Sequence, residues 1–387
     1  MKVRELFLSL IRSQICPNKL ECGINENIDA ETCEELRALS HKYDISAIIA
    51  SALLKCPLSP ETASVFSNAI MISAMRYRQM QYEIECITKV FEEEKIAYIL
   101  LKGALIRDLY PEKWMRTSCD VDILVKENDL ERAVERLCEK LSYTTKGQRA
   151  YHDISLFSKN GIHLELHFNI CENQKNIDRV LARVWDYAIA DPSYKYRYRL
   201  TSEFMIFHII SHASYHFSNG GCGVRPLIDL YLLENKLPYD ENILHDFCVE
   251  CSLEKFRLAM EKLSRVWLEN ESRDDIIERL EEYIFNGGLY GNKEIGIIVG
   301  KEQSGGKFKY LFKRIFMPYS LLSVKYPIVK KYPVLVPLYQ VKRWFSVVLH
   351  GKTKKAKAEM NVIMNSDKDK NESVIALVND LGLGSNK

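Results

Sequence analysis

The 387-residue chain has no run of about 18 uncharged apolar residues, so it does not predict a transmembrane helix. Glycine (17) and proline (11) are too scarce for a collagen-like or low-complexity protein, and 10% aromatic residues argue against bulk disorder. The N-terminal segment lacks a small-residue cleavage site and is interrupted by Arg12, which favours an amphipathic helix over a signal peptide. The eleven cysteines are scattered and odd in number, so we expect a reducing, cytoplasmic setting and no disulfide framework.

Positive charge is concentrated near one end of the chain. The formal net charge is only +2, yet residues 301–357 contain 14 Lys or Arg and a single acid, Glu302. This basic, aromatic-rich segment is either a solvated face or a contact for an anionic partner. It could dock on the rest of the protein and complete a substrate pocket, bind nucleic acid, or rest on an anionic membrane surface. We favour docking, because regular prolines interrupt a long amphipathic helix and no nucleic-acid motif is legible.

Hydrophobic periodicity predicts an α+β protein. A capping box predicts a helix start at Thr32, and a long helix is expected from about Ser73 to Glu94. Strand and helix patterns then alternate, and Asn160-Gly161 predicts a hairpin between two strands. The expected regions are an N-terminal helical region (1–75), an α/β catalytic core (76–175), a helical region (176–300) with irregular residues 286–310, the basic region (301–357) and a flexible tail (358–387).

The most informative segment is residues 100–125, LLKGALIRDLYPEKWMRTSCDVDILV. Asp120 and Asp122 stand two apart in a predicted strand, so both carboxylates project from one face. Carboxylates held so close repel each other unless a cation lies between them, and Mg²⁺ prefers such oxygen ligands. Taken alone, an Asp-x-Asp pair is more often an edge strand with solvated aspartates.

A glycine turn precedes these aspartates. Gly103 follows a predicted strand and opens a predicted helix, where backbone N–H groups can approach a phosphate. Lys102 and Arg116 could add positive charge to the same pocket. The alternative is an ordinary turn glycine with no ligand.

The combination of these motifs resembles the nucleotidyltransferase signature of the DNA polymerase β superfamily. A strand–Lys-Gly–helix unit is followed by RxxxDxDhhV, where h is apolar. Over residues 30–350, including ISHASYH, RPLIDLYLL and IFMPYSLLSVKYPI, the chain is similar to an uncharacterised bacterial family of that superfamily. The resemblance implies a small mixed-sheet, polymerase β-like core flanked by helical regions. It also implies a third carboxylate on a neighbouring strand, a role that Glu165 fills.

The resemblance implies metal-assisted transfer of a nucleoside monophosphate from an NTP such as ATP to an acceptor hydroxyl. Two Mg²⁺ ions would be held by Asp120, Asp122 and Glu165, the expected catalytic residues. The nucleotide would be bound by Lys102, Gly103, Ala104 and Arg116. The acceptor stays open among a small molecule, a sugar and a protein, and nucleic acid has no motif in its support.

Ala104 departs from the superfamily pattern, which usually has Gly-Ser or Gly-Gly at the turn. A hydroxyl contact to phosphate is thereby lost, although backbone N–H groups remain. Two alternatives therefore stand beside the enzyme: a catalytically inactive nucleotide-binding protein, and a toxin-type nucleotidyltransferase that modifies a protein or tRNA.

Two groups of histidines need separate interpretation. His208, His212 and His216 recur every four residues on a predicted helix, but no cysteine pattern completes a zinc site. We expect instead that this helical region borders the substrate pocket and faces the acceptor or phosphate. His212 and Asp229 are the best candidates for substrate-facing residues.

The second group lies in the strand HLELH, where His163 and His167 alternate with Glu165. Three such side chains could bind a metal by themselves. We favour packing or orienting roles for both histidines beside the carboxylate, with His167 as a further substrate-facing candidate.

Overall fold

The computed structural model describes residues 3–16, 28–145, 150–172, 174–287, 293–349 and 368–384. The fold is α+β, as predicted, with a single mixed sheet in the described part. Its strands are β1 (Tyr98–Leu100), β2 (Asp120–Val125), β3 (Thr144–Thr145), β4 (Asp153–Phe157), β5 (His163–His167), β6 (Ala188–Ala190) and β7 (Arg197–Leu200). The strand order is β3-β4-β5-β2-β1-β7-β6.

Helices precede, interrupt and follow the sheet. Up to the end of the sheet they are α1 (Val3–Ile15), α2 (Ala30–Lys42), α3 (Ser46–Leu53), α4 (Pro60–Glu93), α5 (Gly103–Ile106), α6 (Leu130–Leu141) and α7 (Lys175–Leu181). After the sheet they are α8 (Ser202–Ser218), α9 (Arg225–Lys236), α10 (Glu241–Glu250), α11 (Glu254–Glu269), α12 (Asp275–Gly287), α13 (Lys293–Gln303), α14 (Lys307–Ile315), α15 (Tyr319–Lys325), α16 (Pro327–Lys331), α17 (Val336–Leu349) and α18 (Lys368–Asp380). Within the described ranges, no helix has the length and apolar character needed to span a membrane.

The long helix α4 starts earlier than its sequence pattern predicts. The Ser59 hydroxyl accepts from the Thr62 N–H, and Pro60 occupies the first helical position, so both start signals are present. The sequence placed the start near Ser73 because Ile72 and its neighbours are exposed apolar residues that blur the helical periodicity. Similarly, Asp29 caps α2 ahead of the predicted Thr32 box.

The centre of the sheet follows the predicted pattern closely. Strand β2 pairs antiparallel with β1 and parallel with β5. The predicted Asn-Gly hairpin joins β4 to β5, and Gly161 takes the left-handed φ of +77° that such a turn requires. This arrangement places the strand with the two aspartates beside the strand with Glu165.

Several of the secondary-structure predictions after the first strands are wrong. The predicted helix over 176–188 ends at Leu181, and the short strands β6 and β7 that follow were not predicted. Strand β7 pairs in parallel with β1 and so extends the sheet on that side. The region 286–310 is not irregular where the structure describes it, since it contains α13 and the start of α14; residues 288–292 lie outside the described ranges.

The first helices and the later helical region share one hydrophobic core. The Arg12 guanidinium donates to the Trp267 carbonyl at 2.9 Å, and the buried Tyr43 hydroxyl donates to the Phe285 carbonyl at 2.7 Å. A second core lies between the sheet and helices α4 and α6. The catalytic core predicted from the sequence is therefore packed against helices from both sides of it along the chain.

The predicted flexible tail is helical and packed over part of its length. Residues 358–367 lie outside the described ranges. Helix α18 buries Leu377 and Val378, and the Arg279 guanidinium donates to Asp380 at 2.7 Å. The sequence pattern did not predict this packing, because the first residues of α18 are polar and its apolar stripe is short.

Candidate active site

The two aspartates of β2 and the glutamate of β5 lie side by side on one face of the sheet. In the parallel pairing of these strands, Asp122 is directly opposite Glu165 and Asp120 is opposite His163. All three carboxylates line a cavity of about 420 Å³. The sequence-predicted acidic residues are thus brought together by strand register alone.

Asp122 is the most enclosed of the three acids. Its Oδ1 accepts from the His167 Nε2 at 2.9 Å, and the Lys102 ammonium lies 3.9 Å away. Burial opposes ionisation, but the charge of Lys102 and the hydrogen bond from His167 lower the Asp122 pKa well below its usual range. Burial lowers the His167 pKa, but the hydrogen bond to Asp122 and the Glu165 carboxylate 3.6 Å from the His167 Nε2 outweigh it and raise that pKa to about 9. Asp122 is therefore a fixed negative charge.

Asp120 is in the opposite electrostatic situation. Burial, followed by the negative charges of Asp122 and Glu165, raises the Asp120 pKa above its ordinary value. The Ser118 hydroxyl donates to the Asp120 carbonyl at 2.7 Å and lies 3.3 Å from its carboxylate. Asp120 is therefore the acid whose charge the apoprotein compensates least, and a bound cation would relieve that repulsion.

The Lys-Gly turn lies at the edge of the same cavity. Lys102 has a φ of +39°, a left-handed conformation that is costly for a residue with a side chain. A Cβ at Gly103 would come within 3.2 Å of the Ser118 Oγ and 3.3 Å of the Arg116 Nη1, so the turn packs tightly against both. Helix α5 is only four residues long, shorter than predicted, and continues as a 3₁₀ turn from Arg107.

Arg116 and Asp229 form a buried ion pair across 113 residues of sequence. The Arg116 Nε donates to Asp229 Oδ1 at 2.9 Å and its Nη2 donates to Oδ2 at 2.8 Å. The Tyr110 hydroxyl also donates to Asp229 Oδ1, at 2.7 Å. Both charged residues line the cavity, but the Asp229 oxygens are taken by protein donors. Asp229 thus holds Arg116 in place rather than presenting a free carboxylate.

The wall formed by α8 contains a hydrogen-bonded chain of three groups. The His212 Nδ1 lies 2.6 Å from Glu172 Oε1, and the His216 Nε2 lies 3.0 Å from the His212 Nε2. Burial lowers the pKa of His212 well below its ordinary value, so its ring is neutral. Since a carboxylate only accepts, Nδ1 carries the His212 proton and its Nε2 accepts from His216.

Two groups of three side chains in the described part could hold a metal ion. They are Asp120, His163 and Glu165, and Asp122, Glu165 and His167; within each group the ligand atoms lie within 4.8 Å of one another. Glu165 belongs to both groups. Neither group includes the histidines of α8. Three carboxylate donors on one rigid sheet suit a hard divalent ion such as Mg²⁺.

Several residues of the cavity were not anticipated from the sequence. Ser118, His152 and Glu172 all line it. Glu172 follows β5 by five residues. An acidic residue so close to the HLELH strand is a sequence signal for a further site residue, and our prediction did not use it. The cavity lining runs from Leu101 to Asp229, so the described part of the basic region 301–357 does not complete it, contrary to the docking role favoured above.

A comparison with protein families adds one finding to this geometry. A family model described as an uncharacterised nucleotidyltransferase matches residues 29–269. No curated protein matches the chain. The matched region is well over half of the sequence and includes every described residue of the cavity.

Proposed function

The chain belongs to this family of uncharacterised nucleotidyltransferases, and from that premise we propose that the cavity transfers a nucleoside monophosphate from an NTP to an acceptor hydroxyl. One observation carries the assignment to these residues: Asp122 and Glu165 are in register on adjacent parallel strands, with Asp120 two residues before Asp122 on the same face. We also propose that the sheet around them is a polymerase β-like catalytic core.

The donor set fits Mg²⁺, because Asp120 is destabilised as a carboxylate by its two acidic neighbours. When bound by Asp120, Asp122 and Glu165, two Mg²⁺ ions would neutralise the triphosphate and the charge that develops in the transition state.

The chain's own residues have three separate tasks in this proposal. Lys102, whose pKa is raised by nearby carboxylates despite burial, supplies a fixed positive charge beside Asp122. Arg116 is oriented by Asp229 and supplies a second positive charge at the Gly103 turn. In this proposal the Gly103 N–H contacts the phosphates, whereas the Ala104 N–H already donates to the Leu101 carbonyl at 3.1 Å.

The reaction is an in-line displacement at the α-phosphorus. A bond forms between the acceptor oxygen and the α-phosphorus while the bond to the bridging oxygen of pyrophosphate breaks. The acceptor proton passes to Glu165, whose side chain is 27% exposed, and pyrophosphate leaves with the electron pair.

The acceptor is placed by the α8 wall. His212 is neutral, and its orientation is fixed by Glu172 on one side and His216 on the other. Both ring nitrogens of His212 are engaged by these bonds, so in this proposal His212 holds the wall in shape and does not itself bond to the acceptor hydroxyl. His167 is engaged by Asp122, so in this proposal it orients that acid rather than touching the acceptor.

The proposal is tested first by ligand binding. Thermal shifts are measured with ATP, GTP, CTP and UTP, each with and without Mg²⁺, on the wild type, Asp120→Asn and Asp246→Asn. Asp246 is an exposed aspartate on α10 and serves as the matched control. A ligand at a hundredfold excess over Kd stabilises the native state by about 2.7 kcal/mol.

We expect an Mg²⁺-dependent shift with at least one NTP in the wild type and the control, and none in Asp120→Asn. Release of pyrophosphate is then measured with that NTP. Binding without release on any acceptor tried would favour an inactive nucleotide-binding protein, and the absence of any shift would contradict the nucleotide site.

A further inference from the structure

Helix α14 exposes a stripe of large apolar side chains. Phe308 is 87% exposed and Phe312 is 63% exposed, and Ile315 completes the same helical face at a spacing of four and then three residues. A soluble helix normally turns such a face inward, because burying a phenylalanine stabilises a protein by about 1.5–3 kcal/mol.

A second stripe runs from the 3₁₀ turn Pro333–Leu335 into the body of α17. Val334 is 83% exposed, and Leu338, Val341 and Phe345 follow on the same face at helical spacing. The two stripes are joined, because Phe316 packs edge-on against Trp344 with ring centroids 5.4 Å apart. We call the joined face, residues 308–345, the C-terminal apolar face.

Basic residues surround this face. Residues 303–349, the described part of this region, contain nine Lys or Arg and no acid. Lys309 and Lys313 are exposed on α14, and Lys342 is exposed on α17. A helical surface with large apolar residues and interspersed lysines is the composition that binds anionic lipid interfaces.

We propose that the C-terminal apolar face binds the surface of an anionic lipid bilayer as a peripheral contact. The prolines do not oppose this assignment, because Pro327 and Pro337 lie in the first turns of α16 and α17, where proline is tolerated. The short helices they define lie along an interface without spanning it.

Nucleic acid is the weaker occupant for this face. Single strands bind through aromatic stacking and phosphate contacts, and Val334, Leu338 and Val341 offer no ring for stacking. The interface of an anionic bilayer, by contrast, accommodates both aliphatic and aromatic side chains, and its negative charge attracts the basic residues.

Flotation of the full chain with vesicles tests the proposal. The vesicles are phosphatidylcholine alone, or equal parts of phosphatidylcholine and phosphatidylglycerol. We expect flotation with the anionic vesicles only, a loss of about tenfold in bound fraction for Phe308→Ser/Phe312→Ser, and a similar loss for Lys309→Gln/Lys313→Gln. The matched control is Ile72→Ser/Met75→Ser, which removes exposed apolar residues from α4 and should bind like the wild type.

Three results would overturn the assignment. One is no flotation with anionic vesicles, and another is equal flotation of the wild type and Phe308→Ser/Phe312→Ser. The third is retention on a single-stranded oligonucleotide that depends on the lysines and not on the phenylalanines. Unchanged circular dichroism of each variant establishes that any loss is not caused by unfolding.

Discussion

Two clusters of acidic side chains in this protein deal with like-charge repulsion in different ways. On the sheet, Asp120, Asp122 and Glu165 face a cavity. Between α9 and α11, Glu234 and Glu261 lie together in a closed interface. We refer to these as the open cluster and the closed cluster.

The closed cluster is neutralised from within. The Arg257 guanidinium donates to Glu261 at 2.7 Å and also to Glu254. Burial and the neighbouring Glu261 raise the Glu234 pKa to about 9, so that acid keeps its proton at neutral pH. The open cluster has Lys102 and His167 at Asp122, but Asp120 is left with uncompensated repulsion. A protein interior can thus close an acidic cluster with an arginine and a proton, whereas the open cluster would, in the proposed function, be neutralised by Mg²⁺.

The largest expected effect, on the free energy of unfolding, comes from removing the arginine of the closed cluster. Arg257→Leu would leave buried carboxylates without their partner, which costs about 3–5 kcal/mol in the free energy of unfolding. Urea unfolding measures this change. Lys262→Leu is the control on the same helix, since its ion pair with Asp274 is partly exposed and should be worth less than about 1 kcal/mol. Equal losses in both variants would mean that Arg257 is not the neutralising group.

The next effect concerns the chemistry of the open cluster. Glu165→Gln should reduce turnover about 10²-fold, because the acceptor proton loses its base, with a smaller loss in NTP affinity. Pyrophosphate release and nucleotide titration measure the two quantities separately. Glu278→Gln, an exposed change on α12, is the control. A defect in affinity with normal turnover at saturation would remove Glu165 from the catalytic residues.

A smaller effect is expected when Glu234, the protonated acid of the closed cluster, is replaced by glutamine, which cannot ionise. The unfolded chain releases the Glu234 proton near pH 4.5, whereas the native state holds it to about pH 9. Wild-type stability therefore falls as pH rises between these values. Glu234→Gln should remove this loss and gain about 2 kcal/mol at pH 8 relative to pH 6.5. Melting temperatures at both values check this; an equal change at each pH would contradict it.

The smallest effect separates the two aspartates of the open cluster. In chelator, Asp120→Asn should raise the free energy of unfolding by about 1 kcal/mol, since it removes repulsion. Asp122→Asn should lower it by a similar amount, because Lys102 and His167 lose an anionic partner. Urea unfolding of both variants checks the signs, and a gain in both would show that Asp122 is not stabilised by its neighbours.

The local part of the site was predictable from sequence. The spacing of Asp120 and Asp122 gives a common strand face, and the turn at Gly161 pairs the strand of Glu165 with β4. Each of these relations depends on residues close in the chain, where strand alternation and turn chemistry decide the geometry.

The remaining features depend on contacts between distant segments. Nothing near Arg116 in sequence indicates that Asp229 will bind it, and the Tyr110 hydroxyl reaches the same carboxylate from a third element. Strand β7 was missed for a different reason. It is four residues long and its pairing with β1 comes from tertiary packing, although the alternation of Tyr198 with basic residues was a weak signal.

The bond from Arg12 to the Trp267 carbonyl also has a consequence during protein synthesis. Helix α1 packs against the nearby α3 with part of its apolar face and against α11, some 255 residues later in the chain, with another part. At the usual speed of translation, roughly 5–20 residues per second, that second part waits on the order of 10–50 s for its partner to leave the ribosome. The nascent chain therefore exposes part of the apolar face of α1 for most of its synthesis. Chaperones that shield nascent chains should increase the yield of folded protein.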